Sequence, residues 1–389
     1  MDKDILPKLS AIALNTIFGY EPRFSHRIID ALGSAEAVFQ LPPEEKRRIF
    51  GPCNKYLPLI NDGSLEKAEA EYSRLRDEGV QVLSIFDNAY PATLRECDDA
   101  PIALYVRSAT DISGLFNRTP AISVVGTRDI SPYGKEWCCR IVRALADSGA
   151  GPSVVSGLAI GVDVTAHIMA LDCGLPTIAV LPVGIDDVYP ARHRLVARRI
   201  SETTGCALIT DYPPGTQAIA FNFLRRNRII AGIGQATILV ESKLHGGGMM
   251  TARLASGYGR DVLALPGRMD DLRSQGCNLL IQEKIAEPVP ALDILPRTLG
   301  LGERITRRTV DLEQAVRKRY SSTNGEPSLE ELVSTVLAIR KERGISLDGL
   351  CTSLQMDYAK VSVITGILEN DGFISVDLLQ RCTINSKIY

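Results

Sequence analysis

The chain lacks most of the features by which a sequence declares a metal, disulfide or membrane protein. Its nine cysteines, at positions 53, 97, 138, 139, 173, 206, 277, 351 and 382, form no CxxC pair and have no companion histidine cluster. Zinc sites and a disulfide framework are therefore both disfavoured, and reduced thiols in a cytoplasmic compartment fit best. Nowhere do 18 apolar residues run together, and the apolar stretches of MDKDILPKLSAIALNTIFGY are broken by Lys8, Asn15 and Gly19; neither export nor membrane spanning is expected. Charge of one sign is not in excess either, with 44 Lys and Arg against 46 Asp and Glu and a formal charge of -2. That excludes a wholly cationic polyanion binder, so any nucleic-acid site has to be a local patch. GxGxxG and GxxxxGK are missing, which leaves a dinucleotide oxidoreductase and a P-loop NTPase with little support.

What is there is ordinary globular composition, 45% hydrophobic and 23% charged over 389 residues, enough at ~150 residues per domain for two or three domains. From Ala121 to about Ala286, short β-branched runs alternate with helix-length amphipathic segments. The runs Ala121 to Gly126, Ser153 to Gly157, Pro176 to Val183, Cys206 to Tyr212, Ala236 to Ser242 and Asp261 to Gly267 are almost continuously apolar, as strands covered on both faces must be. Right-handed βαβ units follow, and with them an α/β fold, an extended Rossmann-like doubly wound parallel sheet. Val80 to Phe86 and Ala103 to Arg107 are candidates for further strands of that sheet. Residues 1–78 show helical spacing (Ile5, Leu9, Ile12; Ile28, Ile29, Leu32) and predict a small helical domain, and 79–296 the α/β core. Residues 297–326 predict a basic linker carrying Arg304, Arg307, Arg308, Arg317, Lys318 and Arg319, read as solvated rather than as a DNA arm. Residues 327–389, three helical segments and then a hairpin, predict a winged-helix domain.

In an open parallel sheet, ligands bind beyond the carboxyl ends of the strands, where helix N-termini offer free N–H groups to anions. Four loops qualify. Gly126, Thr127, Arg128 and Ser131 suit a phosphate, unless Ser131 is a helix cap and Arg128 a surface ion pair. Ser156, Gly157 and Gly161 bracket a helix start; nearby Asp163 and His167 suggest a hydrolase triad with Ser156, but the GxSxG elbow is missing and a packed histidine is the better reading. Phe223, Arg225, Arg226, Asn227 and Arg228 sit in a stretch, Tyr212 to Val240, without one acidic residue, so the arginines predict an uncompensated positive patch. Cations with adjacent aromatic rings suit a single strand, whose phosphates they neutralise and whose unpaired bases stack for ~1–3 kcal/mol each. His245, Gly246, Gly247 and Gly248 offer an N–H nest for an anion, or else a flexible turn. No catalytic residue, metal or cofactor is expected.

VVGTR at 124 to 128, SGLAxGVDxxAH at 156 to 167, TIAVLPVGIDDVYP at 177 to 190, DYPPG at 211 to 215, FLRRNRIIAG at 223 to 232, GRDVLALPG at 259 to 267 and QGCNLLI at 275 to 281 are collinear over about 160 residues and together resemble the DprA/Smf (DNA processing protein A) family. The resemblance implies a Rossmann-like DNA platform, a SAM-like or helix-hairpin-helix-like N-terminal domain and a C-terminal winged helix. It also implies a cytoplasmic homodimer, not an enzyme, that protects incoming single-stranded DNA and loads RecA recombinase during natural transformation. By position it assigns Arg128, the Ser156 to Asp163 helix start, and Arg226, Asn227 and Arg228 after Phe223 to the DNA site. Ile160 stands where members often carry Lys or Arg, and Gly246-Gly247-Gly248 replaces the usual SGS or SGT. The alternative is a nucleotide-processing, phosphoribohydrolase-like enzyme on a related fold, but HGGGMMTA at 245 to 252 lacks the final Glu of that group's PGGxGTxxE loop.

Overall fold

The near-continuous apolar runs become short, buried strands in the computed structural model, which describes residues 5–19, 21–51, 54–301, 312–321, 326–342, 345–377 and 380–384. The chain divides into two units, Met1–Ile305 and Thr306–Tyr389. In the first, the strands are β1 (Val80–Ser84), β2 (Ala103–Arg107), β3 (Ala121–Val125), β4 (Ser153–Ser156), β5 (Thr177–Val180), β6 (Ala207–Thr210), β7 (Ala236–Leu239), β8 (Asp261–Ala264) and β9 (Glu287–Pro288). They form one nine-stranded sheet in the order β1-β2-β6-β5-β4-β3-β7-β8-β9.

From β6 across to β9 every pairing is parallel, whereas β1–β2 and β2–β6 are antiparallel. The expectation of a parallel sheet is corrected at that edge: the sheet is mixed and mostly parallel. A parallel neighbour needs a crossover long enough to carry the chain back over a face. Between β1 and β2 there is only the four-residue helix Ala92–Arg95, so the chain returns in the opposite direction. β4, β5 and β6 step outward on one side of β3, while β7, β8 and β9 step outward on the other. The strand order thus reverses between β3 and β7, and the crevice of an open α/β sheet lies beyond their carboxyl ends.

The helices of this unit are α1 (Leu6–Phe18), α2 (Pro22–Leu32), α3 (Ala35–Gln40), α4 (Pro43–Phe50), α5 (Asp62–Asp77), α6 (Ala92–Arg95), α7 (Pro132–Asp147), α8 (Val162–Asp172), α9 (Arg194–Glu202), α10 (Ala220–Ile233), α11 (Gly247–Gly257), α12 (Gln275–Gln282) and α13 (Leu295–Thr298). Both faces of the sheet are covered. Ile122, Val124 and Ile238 pack with Val142, Leu145 and Ala166 of α7 and α8; Val125, Val155 and Leu239 face the opposite core with Ile229, Ile230 and Ala252 of α10 and α11. Alternate residues of one strand feed the two cores, as a pleated strand requires. The N-terminal helices join the second core rather than forming their own: Ile12, Leu14 and Phe18 of α1 pack in one cluster with Val82, Leu104 and Ile209, and the Asn15 side chain donates to the Asp211 carbonyl at 2.7 Å.

In the second unit, α14 (Leu312–Arg319), α15 (Leu329–Lys341), α16 (Leu347–Leu354) and α17 (Tyr358–Asn370) pack with β10 (Ile345–Ser346), β11 (Ile374–Val376) and β12 (Arg381–Ile384), an antiparallel sheet in the order β10-β12-β11. A Ser328/Glu331 capping box opens α15. Helix α14 occupies part of the stretch expected as linker, because Val316 and Tyr320 are buried in this unit's core and Arg317 pairs with Glu313 and Glu330. Arg304, Arg307 and Arg308 lie outside the described residues.

Candidate nucleic-acid interface

Close-packed loops build the crevice at the strand reversal. The segment after β3 is held by the Thr127 N–H donating to the Glu241 carbonyl at 2.7 Å and by the Thr127 carbonyl accepting from the Val162 N–H at 3.2 Å. Gly161, with φ +88°, lies so close that a Cβ there would come within 2.2 Å of the Thr127 carbonyl oxygen, a place only glycine can take. Gly126 and Gly248 touch in the same manner, a Cβ on the latter falling 3.0 Å from the Gly126 Cα. What remains open is a cleft of about 650 Å³ walled by Gly126, Thr127, Arg128, Phe223, Asn227 and Gly246 to Gly248, with Tyr189 and Lys243 at its lips.

Two features of that cleft suit an unstacked polyanion. Arg128 is exposed, makes no ion pair among the described residues, and places its guanidinium 4.9 Å from the centre of the Phe223 ring; the Tyr189 ring meets Phe223 edge-on at 5.2 Å. Helix α11 begins at the cleft with Gly246 as its cap residue, no side-chain cap and no acid in its first turn, so its dipole and first N–H groups face the opening.

Helix α7 is the contrast. Its N-terminus is filled by the Glu241 carboxylate, which accepts from the Ser131 N–H at 2.9 Å and from its hydroxyl at 2.5 Å, while the Ser131 hydroxyl oxygen also accepts from the Gly134 N–H. Ser131 is therefore a cap bound to an internal anion and does not line the cleft. Ser156 is fully buried and donates to the Val124 carbonyl at 2.6 Å; Gly157 and Gly161 likewise do not line the cleft but let the residues that do approach closely, Arg226 against the first and Thr127 and Arg128 against the second. The Gly157 N–H donates to Asp163, whose carboxyl is raised above its ordinary range by burial, with Arg226 pulling the other way.

The arginines of α10 divide three ways. Arg226 is buried, reaches the edge of the cleft, and donates to the carbonyls of Gly157 and Val180 at 2.5 Å each; burial pushes its pKa down to about 10. Arg228 is buried in an ion pair with Asp211 and also donates to the Asp99 carbonyl. Arg225 lines a neighbouring groove, donates to the Gly19 carbonyl and lies 5.8 Å from the Phe221 ring centre. The expected uncompensated patch on α10 is thus corrected: Asp211, one position outside the acid-free window, neutralises Arg228, and backbone carbonyls hold Arg226. His245 is exposed beside the cleft and does not line it. Arg194, Arg198 and Arg199 are paired with Asp187, Glu202 and Asp172.

His167 is fully buried, its Nδ1–H donating to Thr177 Oγ1 at 2.8 Å while that hydroxyl donates to the Val154 carbonyl. Burial pushes its pKa down to about 3. It is a packed histidine, distant in role from the cleft. Tyr189, Lys243, Leu224 and Thr251 are among the wall residues that the sequence did not single out; Tyr189 and Lys243 had no signal beyond a place in a loop after a strand.

A model of the family described as DNA recombination-mediator protein A matches residues 81–298, the segment that builds both the sheet and this cleft. The chain belongs to that family. Among its relatives are the DNA processing protein DprA of Streptococcus pneumoniae, 36% identical over 54% of this chain and 72% of its own, and the protein Smf of Synechocystis, 31% identical over 76% and 78%. The X-ray structure of the pneumococcal DprA superposes with a TM-score of 0.52 at 31% identity, over 65% of this chain and 89% of that one. DNA processing protein A from Helicobacter pylori, whose structure concerns a single-stranded DNA binding mode, superposes with a TM-score of 0.50 at 29% identity, over 57% and 95%.

Proposed function

We propose that this chain is a non-enzymatic recombination mediator that binds single-stranded DNA in the cleft at the strand reversal. The observation that carries the reading is the meeting of Arg128, Phe223 and the uncapped start of α11 in one opening. There a phosphate meets a guanidinium and free amides, and a base meets a ring face. Duplex DNA keeps its ring faces stacked and cannot use the second element. Gly126, Thr127, Asn227 and Gly246 to Gly248 supply backbone and polar contacts, and Lys243 a second cation. Arg226, Arg228, Ser131, Ser156, Gly157 and Gly161 act by shaping the cleft, and Arg225 extends it.

Protection of the bound strand, loading of RecA recombinase and action as a cytoplasmic homodimer follow from the family and belong to the same proposal. The nucleotide-hydrolysing alternative needs a carboxylate free to act. Asp163 is tied to the Gly157 amide and Glu241 caps α7, which favours binding over hydrolysis. We read the second unit as a winged helix whose α17 serves a protein contact, since its Lys360 is bound to Glu331. The test is an anisotropy titration of the full chain with oligo-dT and a matched duplex over a salt series. Single-strand preference with affinity falling steeply in salt is expected; equal binding to both would remove the stacking cleft.

A further inference from the structure

A second groove, of about 430 Å³, runs beside the cleft between α2 and the α10–α11 pair. Leu224 walls both cavities, and α11 gives Gly247, Gly248 and Thr251 to the cleft but Met250 and Leu254 to the groove. The two openings are therefore consecutive along one path. The groove has an apolar floor of Phe24, Leu224, Met250 and Leu254, with Arg27 and Arg225 among its walls. The two acids at its edge are engaged: Glu21 accepts from Lys55 and from the Tyr56 hydroxyl, and Asp99 accepts from the Tyr258 hydroxyl. Arg27 is exposed and makes no ion pair among the described residues.

The groove's geometry is fixed. α10 is tied to the N-terminal helices by Arg225 donating to the Gly19 carbonyl, and α1 to the end of β6 by the Asn15 side chain donating to the Asp211 carbonyl. Its two walls thus share one core.

We propose that the N-terminal helical segment forms the far wall of the single-strand path: a strand leaving the cleft over Leu224 continues into the α2–α10–α11 groove, phosphates on Arg27 and Arg225 and bases on the apolar floor. This rests on the reading of the cleft as a single-strand site. It gives α2 a direct part in binding and makes the footprint longer than the cleft alone allows. Cationic rims along a backbone path with apolar contacts beneath are how strands are held without sequence preference.

The test compares labelled oligo-dT strands of about 6 and about 16 nucleotides, within the span of known single-strand footprints, on the full chain and on Arg27→Glu and Met250→Ser, the latter removing apolar floor without placing a charge in the first turn of α11. Both substitutions are at exposed positions. Each is expected to lower affinity for the longer strand about tenfold while leaving the shorter within about twofold, and Arg27→Glu to flatten the salt dependence of the longer strand only. Losses equal for both lengths, or no loss with either, would overturn the extended path. Failure of the unmodified protein to bind either length would instead remove the cleft reading beneath it.

Discussion

The guanidinium of Arg128 lies 4.9 Å from the centre of the Phe223 ring, on the wall of the cleft where the sheet reverses its strand order. One residue follows β3 and the other starts α10, so their meeting joins the cation to the stacking face. Phe223→Leu keeps apolar volume against Tyr189 and removes the ring. Affinity for oligo-dT is expected to fall by ~1–3 kcal/mol, the range of base–aromatic stacking, with little change in the urea midpoint. Undiminished affinity in anisotropy titrations would show that no base rests on that ring.

Arg128→Ala removes an exposed cation. Its effect should be read in the slope of log affinity against log salt, which drops by about 0.7 for each lost contact with a single strand. Thermal stability should change by less than ~0.5 kcal/mol, as for surface positions generally. An unchanged slope in the folded variant would take Arg128 out of the site.

The buried pair of Arg228 with Asp211 predicts the opposite pattern. Asp211→Asn strands a buried guanidinium without its counter-charge, a change that costs about 3–5 kcal/mol. Chemical denaturation should register that loss, and strand binding at temperatures where the variant is folded should stay close to normal. A variant as stable as the parent would mean the pair does not hold α10 in place.

His167 supplies the acid limit. Its folded pKa of about 3 lies below the ordinary value near 6.5, so below that ordinary value the unfolded chain takes up a proton that the folded chain refuses. The stability contribution is whole above about pH 6.5 and declines as pH falls toward 3. At about pH 4.5 it should have fallen by ~2–3 kcal/mol, at about 1.4 kcal/mol per pH unit. His167→Asn, which retains a side-chain donor for Thr177, should flatten the difference in unfolding free energy between pH 7 and pH 4.5. An unaltered pH dependence in that variant would place the acid sensitivity elsewhere.

Much of this architecture was legible because burial on both faces leaves a local trace. Runs such as AISVV and ATIL have no polar face to show, and the glycines beside them mark where loops crowd together. The direction of β1 and β2 had no such trace, since orientation is decided by the connection and by pairing with β6. The fate of the α10 arginines was hidden for a related reason. The groups that hold Arg226, the carbonyls of Gly157 and Val180, are 69 and 46 residues away, and backbone acceptors have no sequence signature at all. Glu241 looked like a strand end, and only the fold brings it 110 residues back to the start of α7. Arg128 and Phe223 could be named one by one. Their contact depended on the order of β3, β4 and β7.

The proposed function puts a single strand in the cleft between the loop after β3 and the starts of α10 and α11. Ultraviolet cross-linking of a bromodeoxyuridine-substituted oligo-dT to the full chain, followed by mass-spectrometric mapping, tests it most directly. Adducts are expected on the peptides holding Phe223 and Tyr189, and they should vanish with Phe223→Leu at the first position while persisting at the second. Adducts confined to residues of α14 to α17, or none in the cleft at saturating strand, would contradict it.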